Sequence, residues 1–358
     1  MNKKKRNISL LLLSISLLFT TFYFINDEKE VKSENLTLYE KINTGKDIHY
    51  LIIGDSIGRG AGVKVRSFTW FNQWEKLMKH HYNLNLTRHS IVQSGATTFE
   101  GLYLFNRENN QRPADLIFLI FGENDRKYMN VHQFSLFYES LLSKAKQVYP
   151  NAEIITITES CLTNESFADV IKQLSAQYQT KHVDMRIPFQ QSNYSAEQLT
   201  IDLVHPNQKG YQLYAEELVK VIKPETYKGQ KPSIDQSIQP LTFKELSSYK
   251  RKDHSFIQRN NDFVSNEPGS SITYSFSGKH LGVKVWVGKN QGDIDVFIDQ
   301  QYIRTISTNW PIEKYRGLYI ESNLSEGDHE VKFVYSKKNS TKYKKKTNIQ
   351  ISSIIIAN

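Results

Sequence analysis

Two different patterns of apolar and polar residues follow one another along the chain. Residues 48–54 (IHYLIIG), 114–122 (ADLIFLIFG), 152–158 (AEIITIT) and 182–187 (HVDMRI) are nearly continuous apolar, β-branched runs. Such runs predict strands of a parallel sheet covered on both faces. Between them, Phe134, Phe137, Leu141, Leu142, Ala145 and Val148 recur at helical spacing before Pro150, and Tyr211, Tyr214, Leu218 and Ile222 do so over 207–222. Strands alternating with helices predict an α/β domain over 47–224 with helices on both faces of the sheet. Residues 225–240 lack periodicity and are flanked or interrupted by Pro224, Pro232 and Pro240, as expected of a linker. From 241 to 358 the pattern becomes short alternating strands (271–278, 280–288, 292–307, 329–336 and 348–357) separated by Gly, Asn, Asp and Ser, which predicts an all-β sandwich. A linker between two such units predicts separable domains.

The N-terminal end reads differently again. Ile8 to Ile25 is an uncharged run preceded by Lys3, Lys4, Lys5 and Arg6 and followed by Asp27 and Glu28. That arrangement predicts an uncleaved signal anchor over 1–26, with the N-terminus cytoplasmic and the rest outside the cell. The alternative is secretion after signal cleavage, although no small-residue cleavage pattern ends the run. Residues 27–46, charged and polar, are expected to form a stalk. The basic N-terminal cluster and the lysines of 337–346 account for the whole net charge of +9. No basic face is left along the body, which argues against a nucleic-acid partner. A single cysteine, Cys161, excludes an intrachain disulfide and a cysteine zinc site.

Candidate chemistry starts at LIIGDSIGRGAG (51–62), where four glycines follow the first strand. The third glycine of a dinucleotide fingerprint is missing, and no Lys-Ser or Lys-Thr completes a phosphate loop. The match to a G-x-S-x-G nucleophile elbow lies in the wrong context, because that elbow normally follows several strands. A lone Gly-Asp-Ser is more often a turn than a catalyst. Ser56 gains meaning from company: a base, a carboxylate to hold the base, and donors for an oxyanion. Among ten histidines, His205 has Asp202 three residues earlier, on a loop that leads through Pro206 into a helix. At that spacing the carboxylate can reach Nδ1 and leave Nε2 for a serine. Asn124, in GEND at the end of the 114–122 strand, and Gly95, in QSG, supply candidate oxyanion donors at the carboxyl edge of the sheet.

Ser56, Gly95, Asn124 and His205 occur in the order of the SGNH (GDSL-type) hydrolase superfamily, with GDS, GEND and DLVH intact. The chain resembles that superfamily over about residues 47–224, departing from it where QSG lacks the asparagine that many relatives carry before the glycine. The resemblance implies a flavodoxin-like three-layer α/β/α fold and ester chemistry with neither metal nor organic cofactor. Ser56 would be the nucleophile, His205 the base and Asp202 its partner, with Ser56, Gly95 and Asn124 forming the oxyanion hole; Asp55 is expected to cap the turn. Residues 241–358 resemble the carbohydrate-binding-module type of sandwich attached to some of these enzymes. Trp286, Tyr302, Trp310, Tyr315 and Tyr319 are the aromatic candidates for sugar stacking, although most aromatics in a sandwich are core. The expectation is therefore a membrane-anchored esterase that removes acyl groups, acetyl first among them, from a polysaccharide or cell-wall glycan. An O-acetyltransferase using the same triad, and a non-catalytic glycan-binding surface protein, are the alternatives. No feature of the sequence sets an oligomeric state.

Overall fold

The computed structural model describes residues 36–108, 112–223, 239–337 and 347–358. The expected anchor, most of the linker and the lysines beyond Lys337 lie outside the described residues. Among the described residues, no helix is long and apolar enough to cross a membrane.

The first domain alternates strands and helices: α1 (Leu38–Thr44), β1 (Ile48–Gly54), α2 (Trp70–Tyr82), β2 (Leu86–Val92), α3 (Thr98–Arg107), β3 (Leu116–Ile120), α4 (Val131–Val148), β4 (Glu153–Thr158), α5 (Glu165–Gln177), β5 (Lys181–Asp184), α6 (Arg186–Gln191), α7 (Ala196–Leu199) and α8 (Gln208–Val221). The five strands run parallel in the order β2-β1-β3-β4-β5. This is the flavodoxin-like order, in which sites form beyond the carboxyl ends of the strands. Side chains of β1 divide by parity. Tyr50 and Ile52 pack with α1, α2 and α8, whereas Leu51 and Ile53 pack with α3, α4 and α5.

Residues 38–46 do not form a stalk. Leu38, Tyr39 and Ile42 are buried on one side of α1 and join the core beneath β1. Thr37 and Glu40 close a capping box at the helix start, and Gly45, at φ +65°, ends it. Burial of a leucine or isoleucine contributes about 2 kcal/mol, enough to hold so short a helix against the domain.

The second domain is a sandwich of two antiparallel sheets. One has the order β13-β12-β15-β10-β7, from β7 (Arg251–Lys252), β10 (Ser271–Ser277), β12 (Asp293–Ile298), β13 (Gln301–Ser307) and β15 (Asp328–Tyr335). The other has the order β14-β11-β16-β9-β8, from β8 (Ile257–Arg259), β9 (Asp262–Ser265), β11 (His280–Val287), β14 (Lys314–Glu321) and β16 (Ile349–Ala357). Here β6 (Phe243–Leu246) also pairs with β16. Alternate residues of both sheets, such as Val283, Val285, Ile294, Val296, Val331 and Phe333, fill the space between them.

The two domains are not separable units. Tyr319, Ile355 and Ala357 of the sandwich lie in the same buried cluster as Phe99, Phe137 and Leu141 of the hydrolase-like domain, with Leu241 and Phe243 packed against it. Two strand glycines make this approach possible. A Cβ on Gly282 would lie 2.5 Å from the Phe99 ring, and one on Gly317 would lie 2.7 Å from the Tyr103 ring. The sandwich thus covers an aromatic face of α3 and α4 that water would otherwise meet.

Candidate active site

β1 ends at Gly54, and the next residues turn sharply so that Ser56 stands at the carboxyl edge of the sheet. Asp55 sets that turn: its Oδ1 accepts from Ile57 N–H at 2.8 Å. At the far end of the domain, the loop between α7 and α8 is closed by a bridge between Thr200 and Pro206 and by the Ile201 N–H donating to His205 O at 3.0 Å. Leu203 holds φ +65° inside it, a left-handed value that costs a branched side chain of the order of 1 kcal/mol. That tight curl lets Asp202 Oδ1 accept from both Val204 N–H (3.1 Å) and His205 N–H (2.7 Å). Asn207 then caps α8 through the Lys209 and Gly210 N–H groups.

The structure brings Ser56, His205 and Asp202 together. His205 Nδ1 lies 2.7 Å from Asp202 Oδ2, and its Nε2 lies 2.9 Å from Ser56 Oγ. With Nδ1–H donating to the carboxylate, Nε2 is left to accept the serine proton. Burial works against the Asp202 charge, but the His205 and Val204 N–H bonds and the imidazole outweigh it and hold the carboxyl below its ordinary range. Asp202 therefore stays ionised at neutral pH.

Asn124 and Gly95 lie at the same edge. Asn124 Nδ2 donates one hydrogen to Asp55 Oδ2 at 2.7 Å. Its second amide hydrogen, like the N–H groups of Ser56 and Gly95, has no acceptor among the described residues. Asp55 thus both caps the turn, as expected, and aims the Asn124 amide.

Other functional-looking groups escaped the sequence reading. Asp125 does not cap the helix that follows it; its Oδ1 accepts the Thr98 N–H at the start of α3 at 2.7 Å. Glu159, fully buried beyond β4, accepts the Glu123 N–H at 2.8 Å and so holds the GEND turn. Burial pushes Asp55 up to about 6 and Asp125 up to about 7, and raises Glu159, with the Asp55 charge adding to the latter. The three carboxyls therefore carry fewer than three charges near neutral pH, which limits repulsion of an anion formed above them.

The largest omission is the reach of the sandwich into the site. Arg316 of β14 donates from Nη2 to Gly95 O at 3.0 Å and from Nε to Glu100 Oε1 at 3.1 Å. Its ion pair with Glu100 is buried, the two side chains being 5% and 3% exposed. Gly95 sits at φ +71°, and a Cβ there would lie 2.9 Å from the Trp310 ring. The Gly95 loop is therefore clamped from the second domain. Of the five aromatic candidates, Trp310 alone lies against this loop. Tyr319 is buried at the domain interface, Trp286 and Tyr315 pack edge-to-face on each other, and Tyr302 is 54% exposed against Phe297.

A family model described as GDSL-like lipase/acylhydrolase matches residues 52–213, the span that carries Ser56, Gly95, Asn124, Asp202 and His205. Residues 52–213 are a GDSL-like lipase/acylhydrolase domain. This GDSL domain is followed by a match at 257–350 to a family described as carbohydrate esterase 2 N-terminal, here placed after the catalytic unit. The protein is accordingly a GDSL-type serine esterase. No curated protein matches the chain. A solved two-domain esterase active on acetylated mannans superposes with a TM-score of 0.68 at 14% identity, over 89% of this chain and 93% of its own. The same kind of enzyme crystallised with mannopentaose gives 0.66 over the same shares and at the same identity. An acetylxylan esterase from Geobacillus stearothermophilus matches 49% of this chain and 94% of its own, at 19% identity and a TM-score of 0.42. The two-domain likeness fixes the fold: a parallel α/β domain followed by a β-sandwich.

Arg316→Lys keeps the charge but loses the guanidinium fork that holds Gly95 and Glu100 together. Steady-state kinetics on a small acetyl ester should show kcat lowered about tenfold with KM changed far less, because the lost contact positions Gly95, a candidate transition-state donor. Equal kinetics in the two proteins, or a change confined to KM, would contradict the clamp.

Proposed function

We propose that the protein hydrolyses acetyl esters on a polysaccharide by two-step acyl transfer through Ser56. The observation that carries this reading is the continuous hydrogen-bonded line from Ser56 Oγ through His205 to Asp202. Ser56 Oγ attacks the acyl carbon as its proton passes to His205 Nε2, and Asp202 stabilises the imidazolium. The developing oxyanion takes the N–H groups of Ser56 and Gly95 and the second amide hydrogen of Asn124. Each such donor typically lowers the barrier by about 3 kcal/mol. The tetrahedral adduct collapses, His205 returns the proton to the departing sugar oxygen, and acetyl-Ser56 remains. Water then attacks, giving its proton to His205, and acetate leaves with Ser56 reprotonated.

Support for a carbohydrate ester comes from the carbohydrate-esterase description of the second domain's family and from the acetylated-mannan activity named for the two-domain structural neighbour. No step needs a metal, and among the described residues no group of three or more His, Cys, Asp or Glu side chains could hold one. We further propose that Ile8 to Ile25 anchors the enzyme with its catalytic domain outside the membrane, on the strength of the length of that run and the charges on either side of it.

Residues 27–358 incubated with acetylated mannan and acetylated xylan should release acetate at a rate that EDTA does not change. Ser56→Ala should lower that rate by roughly three orders of magnitude or more. The full chain expressed in a bacterium should sediment with the membranes through a high-salt wash. Acetyl transfer to an added oligosaccharide without net acetate would replace hydrolysis by the transferase reading, and a soluble full chain would refute the anchor.

A further inference from the structure

Two residues beyond Ser56, the chain from Gly58 to Arg66 becomes one wall of a cavity of about 460 Å³, whose other side is built from β2 and the start of α2. The wall is tied to the catalytic groups. Ala61 N–H donates to Ser56 O at 2.8 Å, and Gly62 is pressed so closely on Pro206 and His205 that a Cβ there would lie 2.2 Å from Pro206 O.

The charge of the lining is one-sided. Arg59, Lys64, Arg66 and Arg88 face the cavity, and no carboxylate does. Arg88 is matched, since it pairs with Glu75 at 2.9 Å and lies over the Phe71 ring. Arg59, Lys64 and Arg66 have no acidic partner among the described residues. Lys314 of β14 does not line the cavity, but it feels the Arg59 charge. Burial first, then the positive charges of Arg316 and Arg59, lower its pKa, while Glu100 opposes them. Glu75 and Glu100 are both already engaged by arginines. A concave wall with several uncompensated cations concentrates anions from solution.

We propose that this cavity is a subsite for the negatively charged group, carboxylate or phosphate, of an anionic O-acylated saccharide whose ester lies on Ser56. The proposal rests on the esterase reading and narrows its substrate class. An exposed arginine alone contributes little, but several acting on one anion beside the reacting ester raise both encounter rate and binding. A phosphate or a carboxylate also suits the planar forks of Arg59 and Arg66.

The test compares acetate release from three acetylated monosaccharides of equal size: a neutral hexose, the matching hexuronate and the matching hexose phosphate. At low salt the wild-type enzyme should favour at least one charged ester by about tenfold in kcat/KM, and the preference should shrink toward unity near 0.5 M NaCl. Preference for the hexuronate alone identifies a carboxylate, for the phosphate alone a phosphate, and for both an unspecialised anion site. Arg59→Gln combined with Arg66→Gln should bring the charged-to-neutral ratio to within about threefold of one. Cleavage of all three esters without preference, or a ratio that survives the double substitution, overturns the subsite and leaves the esterase reading intact. No release from any of the three overturns the esterase reading and the subsite with it.

Discussion

The hydrogen bond between Ser56 Oγ and His205 Nε2 joins residues 149 positions apart, and the first domain is organised around closing that gap. Closure over so long a segment has an entropic cost that grows only slowly with length but must still be offset by packing. The offset comes from both faces of the sheet. Tyr50, Ile52, Phe118 and Ile155 lie in one buried cluster with Tyr211, Tyr214 and Leu218 of α8, which fixes where the His205 loop emerges. Leu51, Ile53, Ile117 and Leu119 lie in the other, beneath α3 and α4. β1, between β2 and β3, thus delivers Ser56 from within the sheet, and α8 delivers His205 from its flank.

The second domain supplies geometry as well as cover. Removing a buried arginine and a buried glutamate from water costs about as much as their mutual attraction returns, so the Arg316–Glu100 pair is a poor source of stability. It is a good source of position, because a planar fork held at Glu100 leaves little freedom for the nitrogen that binds Gly95 O. Apolar burial around Phe99, Tyr103, Phe137 and Tyr319 holds the domains together, and the ion pair sets their register at the catalytic edge. Trp310 completes the clamp by packing on the Gly95 α-carbon and against the Arg316 guanidinium.

Features carried by continuous apolar runs or close spacing were legible in the sequence. The runs of β1, β3 and β4 and the three-residue step from Asp202 to His205 predicted strands and a triad arm that the structure contains. β2 is harder to read, because at the sheet edge it is Leu-Thr-Arg-His-Ser-Ile-Val, with only Ile91 buried. α1 is hidden in a charged, polar stretch, since its apolar stripe occupies one side of only seven residues. The clamp was not legible at all. Arg316 and Glu100 lie 216 positions apart, and nothing local to either residue signals the other. The packing of the domains on each other is hidden for a related reason: nothing local to Gly282 or Gly317 signals that each leaves room for an aromatic ring of the other domain.

Activation of Ser56 by His205 sets that hydroxyl apart from every other serine, and covalent trapping reads the difference. The protein treated with a small organophosphonate serine reagent, digested and mapped by mass spectrometry, should carry one stoichiometric adduct, on Ser56. The same treatment of His205→Ala should label that serine at least about a hundredfold more slowly, because the hydroxyl then lacks its base. An adduct on any other serine, or equal labelling of Ser56 in the two proteins, would contradict the claim.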